Sequence, residues 1–373
     1  MQARYLTLSP YNVVRIILGE RMPGDSEQDN PHTRAARLLD EWIASGVLER
    51  DKEPSVYAYF QKFTDPDSGQ PRERKGFIAL GEVEDYSAGV VYRHEQTLSG
   101  PKKDRLELLR RTRAHFGQIF MLYSDPALSI ERILDEAAKG APSAALEDEY
   151  GVANRVWRIS DAAAIERIQA LMADKKLLIA DGHHRYETAL AFRKENPDLR
   201  DAAKVMMTFV NMHSPGLEIL ATHRVVTGVA AERLGRLPGR QLTSIDELKQ
   251  IFHAPAPEKI RIGLATSGGV KLYQRERGPG ELDVNVLHQE LLRDALGISD
   301  EDVREQKHIE YVRGLDAAYA KVRDGSAQIA FLLEPASVQQ VAAVAFSGGV
   351  MPQKSTDFYP KLLSGLTIYK LLG

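Results

Sequence analysis

The sequence predicts a mixed α/β (α+β) fold: several β-hairpins and mixed sheets with interleaved helices, organised around one strand–turn–helix unit. Stretches of period-2 and period-3.6 hydrophobicity alternate from end to end, with no internal repeat and no low-complexity tract. Two pairs of alternating stretches flank turn clusters, as hairpins do. Residues 175–192, KKLLIADGHHRYETALAF, run from a short apolar strand-type segment through a polar knot with one glycine into helical spacing. That layout aims free backbone N–H groups at an anion, and the knot adds two imidazoles and a guanidinium. Burying so many polar groups for packing alone would be costly.

Length and composition bound the function. A chain of 373 residues holds two or three domains, or one large one. We expect a unit 1–226 carrying the His-Glu and Asp-Gly-His-His-Arg motifs and a unit 227–373 carrying Pro-Gln-Lys-Ser-Thr, or one integrated body. With 43% hydrophobic and 27% charged residues the composition is that of a soluble globular protein. A net charge of −3 argues against a general nucleic-acid binder. The absence of cysteine excludes disulfides, thiolate catalysis and cysteine-ligated metal. No apolar run is long enough to span a membrane, and the first residues lack a signal-peptide pattern, so a cytoplasmic location is expected.

Taken in order, Ser9-Pro10-Tyr11-Asn12 reads as a turn, 13–18 as a strand and 19–30 as a loop. From Thr33, Ala35, Leu38, Leu39, Trp42 and Ile43 share a helical face that Gly46 ends. Residues 55–63 and 75–83 alternate around the turn cluster at 65–69, a hairpin. A strand end then delivers His94-Glu95, and a basic amphipathic helix follows from Asp104. Strands are expected at 119–123 and 155–159, and helices at 129–139 and from the cap Asp161 to Met172. After the central stretch, 204–212 and 217–226 read as paired strands. Helices follow at 229–237 and 244–252, a hairpin at 260–275, and a helix at 283–296 capped by Asp283. The tail alternates strand 308–312, helix 315–322, strand 328–333 and helix 337–345, then closes on a polar segment at 351–361.

Four clusters could carry chemistry, each with a structural reading beside the functional one. In Asp181-Gly182-His183-His184-Arg185, Asp181 is either an N-cap or part of an anion site. In the second reading Gly182 admits a phosphate to the backbone while His184 and Arg185 hydrogen-bond its oxygens. Adjacent histidines on a helix do not both point at one ion, which disfavours a metal there. His94-Glu95 is a strand-end pair, or else a general base or magnesium ligand. Lys102, Lys103 and Arg105 form a solvated helix start, or meet a substrate anion. Thr222-His223-Arg224 reads as structural; Lys354-Ser355-Thr356 with Lys361 is a surface loop or a phosphate clamp.

Six stretches taken together resemble one family. They are SPYNVVR from Ser9, HEQTLSGPKKDRLELL from His94, IADGHHRYETALAF from Ile179, LATHRVV from Leu220, LDVNVLHQELL from Leu282 and MPQKSTDFYPKLLSGL from Met351. In that order, over nearly the whole chain, they resemble the bacterial and archaeal DUF 1015 family, whose name records an undefined role. Family members carry a further segment with a Pro-Pro-Tyr-Asp-Val-type motif ahead of SPYNVVR. A chain without it would be expected to show an open sheet edge and to lack an acidic residue of the site.

The strand–DGHHR–helix unit also resembles the phosphate-binding turn of the ParB/sulfiredoxin superfamily, which includes partition proteins, sulfiredoxins and free-serine kinases. Sulfiredoxin's catalytic cysteine would fall at His183, and the chain has no cysteine, so that reaction is excluded. Partition proteins follow the turn with a helix-turn-helix module, where this chain is strand-rich and acidic overall. The remaining branch implies a phosphotransferase acting on a small hydroxy amino acid. It would be a serine kinase or its reverse, which removes phosphate from phosphoserine with a nucleotide. By that resemblance Gly182, His184 and Arg185 cradle the phosphates of ATP or ADP, and His183 is a second donor. Asp181 or Glu95 holds Mg²⁺ or takes the hydroxyl proton, with His94 alongside. Lys102, Arg105, Lys354, Ser355, Thr356 and Lys361 meet the charge of the transferring group. Two alternatives are a nucleotide sensor without turnover and a metal-dependent hydrolase using His94, Glu95, His183 and His184.

Overall fold

The computed structural model describes residues 2–95 and 100–372, with the backbone alone at 100–102. The chain first lays down β1 (Val56–Thr64), β2 (Pro71–Glu82), β3 (Val91–Tyr92), β4 (Ala114–His115), β5 (Ile119–Tyr123), β6 (Ala144–Glu147), β7 (Ala153–Ile159), β8 (Leu177–Asp181) and β9 (Lys204–Asn211). All but β4 join one mixed sheet in the order β3-β8-β5-β9-β2-β1-β7-β6. The chain continues with β10 (Glu218–Leu220), β11 (Thr222–Val226), β12 (Arg240–Leu242), β13 (Lys259–Thr266), β14 (Gly269–Glu276), β15 (Ile309–Arg313), β16 (Ile329–Leu333), β17 (Asp357–Tyr359) and β18 (Tyr369–Lys370). A second, antiparallel sheet has the order β12-β14-β13-β16-β11-β15. The fold is mixed α/β, with helices between the strands throughout.

Both faces of the larger sheet are covered. Alternate residues of β5 point to opposite sides. Ile119, Met121 and Tyr123 join Ile130, Leu134, Ile168, Tyr186 and Ala189 from the helices on one face. Phe120 and Leu122 join Leu178 and Ala180 with Leu282, Val341, Ala345, Met351 and Phe358 on the other. The second face is therefore sealed by residues from the C-terminal part of the chain. The tail also returns by backbone pairing: β17 pairs with β10, and β18 with β4.

Three expectations are corrected. Residues 13–18 are not a strand: Val14–Ile17 forms a helical turn, because the Asn12 side chain accepts the Val14 N–H (3.0 Å) and so opens a helix. Val14 and Ile16 are buried, and Ile16 packs in the cluster with Leu39 and Trp42. Secondly, β9 does not pair with the strands after it. It is buried along nearly its whole length and lies between β2 and β5, a central position that leaves neither edge free. Its expected partner splits into β10, which pairs with β17, and β11, which enters the second sheet. Thirdly, Asp283 does not cap its helix. Its carboxylate accepts the Arg261 N–H (3.1 Å) and pairs with Arg277 (2.8 Å). The helix Asp283–Val286 then widens into a π-helical stretch, Leu287–Ala295, which hydrophobic spacing does not signal. Among the described residues no helix is long and apolar enough to cross a membrane.

Candidate functional site

β3 and β8 run parallel, so their C-terminal ends open at the same edge of the sheet. There β3 leads to His94 and Glu95, and β8 ends at Asp181. Ligands in open α/β sheets gather at such strand ends. The helix His183–Glu195 starts directly after Gly182, three residues before the helical spacing that begins at Tyr186, because the polar knot forms its first turn. Gly182 is the N-cap residue, not Asp181, and offers no side-chain cap to the opening N–H groups. It takes φ of 95°, a left-handed conformation that glycine adopts freely. A Cβ there would sit 2.9 Å from the Arg185 guanidinium. Gly182→Ala should therefore cost about 1–3 kcal/mol of stability from the backbone alone. Urea unfolding measures that cost.

Around this turn runs a chain of alternating charges. Arg185 donates to Asp181 (2.9 Å), Lys361 approaches the other Asp181 oxygen (3.7 Å) and also pairs with Asp357 (3.0 Å), and Arg313 closes on Asp357 (2.6 Å). Desolvation pushes the Asp181 carboxyl up, but Arg185 and Lys361 outweigh it and hold its pKa below the ordinary value. Glu95 goes the other way: desolvation raises its pKa, and the nearby Asp181 charge adds to that. The Arg105 guanidinium is lowered by desolvation and then by the like charge of Arg185. The side chain of Lys102, the other basic residue expected here, lies outside the described residues.

The C-terminal loop closes the site from the second side. The backbone N–H of Met351 donates to the His94 carbonyl (2.7 Å), and that of Lys354 to the Glu95 carboxylate (3.2 Å). Lys354 adopts φ of 58°, sparse for a side-chain-bearing residue, and this orientation leaves its carbonyl to accept from Arg224 (3.1 Å). His94 lies between two partners. Nδ1 is 2.8 Å from the Ile179 carbonyl, which can only accept, so Nδ1 carries the proton. Nε2 is then the acceptor for the Thr356 hydroxyl at 2.8 Å. Burial holds the ring neutral, its pKa lowered to about 4. The Ser355 hydroxyl donates to the Pro352 carbonyl (2.6 Å).

These bonds redistribute the expected roles. His94 has no free ring nitrogen for catalysis or for a metal. Ser355 and Thr356 have spent their hydroxyl protons, so neither donates to a phosphate; the cations Lys354 and Lys361 are what that loop presents. His183 is buried against His94, ring centroids 4.9 Å apart, with its pKa lowered to about 3 by desolvation and its Nε2 without a partner. Arg185 Nε is likewise buried and unpaired. His184 stands half-buried on the first turn. Among the described residues no three His, Asp or Glu side chains form a metal cage. Asp181, an ionised hard oxygen donor, is the kind of ligand that Mg²⁺ takes together with phosphate oxygens.

Sequence reasoning missed Asp357, Arg313 and Arg74. Asp357 was legible as the i−4 partner of Lys361, directly after the Lys-Ser-Thr cluster. Arg74 and Arg313 carried no signal beyond being charged residues in strands. Arg74 is 1% exposed, donates to the carbonyls of Tyr359 (3.1 Å) and Pro360 (2.5 Å) and to Gln61, and lies 4.6 Å from the Phe120 ring centroid. It fixes the backbone that leads into Lys361.

The sequence matches the family described as protein of unknown function (DUF1015) over residues 1–317. The chain belongs to the DUF1015 family. For this DUF1015 chain no curated protein matches significantly. Similar solved structures include a conserved hypothetical protein from Pyrococcus furiosus, with 14% identity and a TM-score of 0.42 over 79% of this chain and 95% of that one. A mutant free serine kinase in complex with ADP has 14% identity and a TM-score of 0.42 over 75% and 87%. SbnI with C-terminal truncation from Staphylococcus aureus has 14% identity and a TM-score of 0.39 over 77% and 85%. Likenesses this distant to the DUF1015 chain carry no functional argument.

Proposed function

We propose that the protein is a cytoplasmic nucleotide-dependent phosphotransferase acting on a small hydroxy amino acid, as a serine kinase or in the reverse direction from phosphoserine. The observation that carries this is the helix start at Gly182, without a side-chain cap, where Arg185 and Lys361 converge on one ionised carboxylate. An uncapped helix N-terminus ringed by cations suits phosphate. The resemblance of the turn's sequence to nucleotide-binding turns points the same way.

In this reading the two carboxylates divide the work by their environments. Asp181, held ionised, would hold Mg²⁺, which when bound would neutralise phosphoryl oxygens. Glu95, with its raised pKa, is the better proton acceptor. The substrate hydroxyl oxygen bonds to the terminal phosphorus, its proton passes to Glu95, and the bond between that phosphorus and the nucleotide oxygen breaks. Arg185, Arg105 and Lys361 meet the charge that builds on the transferring group. Gly182, His183 and His184 frame the phosphates, and His94 orients the loop through Thr356.

Because the base form of Glu95 is needed, the rate should fall as pH drops through its folded-state pKa. The raised pKa places that acidic limb above the range of an ordinary glutamate. A pH–rate profile checks this, and Glu95→Gln should flatten the limb along with most of the activity. To test the reading, the protein is incubated with Mg²⁺, ATP or ADP, and L-serine, L-threonine or L-homoserine, and phosphorylated amino acid is sought by mass spectrometry. Nucleotide binding without product would favour the sensor.

A further inference from the structure

A groove of about 240 Å³ opens between the helical turn Val14–Ile17, the start of the helix Pro31–Ala44 and the first turns of the helix Gly100–Thr112. Its walls are apolar: Ile16, Ile17, Leu18, Pro31 and Leu108. Leu18 is 54% exposed, so part of that wall meets water. The polar part of the lining is Asp104 with His32 and Arg21. His32 Nε2 lies 3.1 Å from Asp104 and the Arg21 guanidinium 3.7 Å from it. Both contacts fall on Asp104 Oδ1; among the described residues Oδ2 has no partner, and the side chain is 56% exposed.

Two connections join this groove to the Gly182 turn. Along the chain, Asp104 is followed by Arg105, whose guanidinium feels the charges of Arg185 and Asp181 as well as that of Asp104. Through the core, Ile16, Ile17 and Leu108 pack in one cluster with Phe116. A Cβ on the next residue, Gly117, would lie 3.7 Å from the Arg185 side chain. The helix Gly100–Thr112 touches both Pro31–Ala44 and His183–Glu195. Asp104 and Leu108, four residues apart, share its groove-lining face, and Arg105 stands a step of about 100° round from Asp104. Pockets that enclose a whole small ligand run to about 300–1,000 Å³, so this room suits one part of a ligand, a base with its ribose.

We propose that the groove holds the nucleoside part of the nucleotide whose phosphates sit at Gly182, with its base against the apolar walls and its ribose hydroxyls donating to Asp104. The proposal rests on the nucleotide-binding half of the phosphotransferase reading and not on its acceptor. A base has two flat, weakly polar faces, and taking these and the exposed Leu18 wall out of water is favourable. Arg21 adds a planar cation of the kind that stacks on bases. A carboxylate accepts from ribose hydroxyls, as in dinucleotide sites, and repels phosphate. Asp104 therefore sets the direction of the nucleotide, sugar at the groove and phosphates toward Arg105 and Arg185.

The test is calorimetric titration of the full chain with ADP, GDP, CDP and UDP, against pyrophosphate and against the 2′,3′-dideoxy form of the nucleotide that binds best. That nucleotide should bind about tenfold or more tightly than pyrophosphate, and severalfold more tightly than its dideoxy form. Asp104→Ala should erase the ribose preference and leave pyrophosphate affinity unchanged; a merely structural role would weaken all ligands alike. Leu18→Gln, at an exposed position that should not disturb folding, should weaken the nucleotide severalfold and again spare pyrophosphate. No advantage of any nucleotide over pyrophosphate in the wild type, or a ribose preference that survives Asp104→Ala, would overturn the proposal. Phosphoserine formation is assayed separately. Turnover with an unchanged ribose preference in Asp104→Ala strikes the groove and leaves the phosphotransferase reading standing; the expected binding pattern without turnover does the reverse.

Discussion

Replacing Arg185 with alanine is expected to cut turnover by about a hundredfold to a thousandfold, the usual effect of removing one donor from a preorganised oxyanion site. The loss should fall on kcat more than on nucleotide affinity, because the charge that Arg185 meets grows as the phosphoryl group transfers. The fold should survive. The side chain is 31% exposed and its ion pair with Asp181 spans i,i+4 on one helix, a geometry worth well under about 1 kcal/mol. Removing Arg185 also removes the foremost influence holding the Asp181 pKa down, so Asp181 should titrate higher in the variant. Steady-state kinetics with circular dichroism as the folding control reads the first effect, and carboxyl-resolved NMR titration the second. A variant that keeps full turnover removes Arg185 from the chemistry.

The largest stability effect should come from Arg74→Ala. Arg74 is fully enclosed and bonded to two backbone carbonyls and to Gln61, so truncation strands three acceptors and empties the space over Phe120. Unpaired buried acceptors cost about 1–3 kcal/mol each, so a loss of roughly 3–5 kcal/mol is expected. Urea denaturation measures it. Activity should fall too, since the freed 359–361 backbone no longer places Lys361 against Asp181. A loss below about 1 kcal/mol would mean that the tail is held by its β17 and β18 pairings and the apolar cluster around Phe358 instead.

Much of this arrangement could be read from sequence because its local signals are strong. The Asp161 cap, the helices expected from Ser244 and Ser337 and the hairpins at 56–82 and 259–276 all lie close to where turn chemistry and periodicity put them. What failed was long-range pairing. The apolar runs around 204–226 are strands, but their partners lie far off in sequence on both sides: β9 meets β2 and β5 earlier in the chain, and β10 meets β17 in the tail. The site followed the same rule. Its polar clusters were visible one by one as motifs, while the bonds that consume the protons of His94, Ser355 and Thr356 depend on how the 351–356 loop docks. Arg224 was read as structural because a strand arginine is ordinary; that it is buried with no carboxylate partner among the described residues shows only in the folded chain.

The phosphotransferase reading is tested most directly by phosphorus NMR on one pair of samples. One holds the protein, Mg²⁺, L-serine and ADP or ATP; the other holds the protein, Mg²⁺, O-phosphoserine and AMP or ADP. The account predicts a phosphoserine resonance growing in the first, or shrinking in the second, with a matching change in nucleotide phosphorylation and no free phosphate. Unchanged spectra in both, from protein that binds the nucleotide, would contradict it and leave the Gly182 turn as a sensor's phosphate grip.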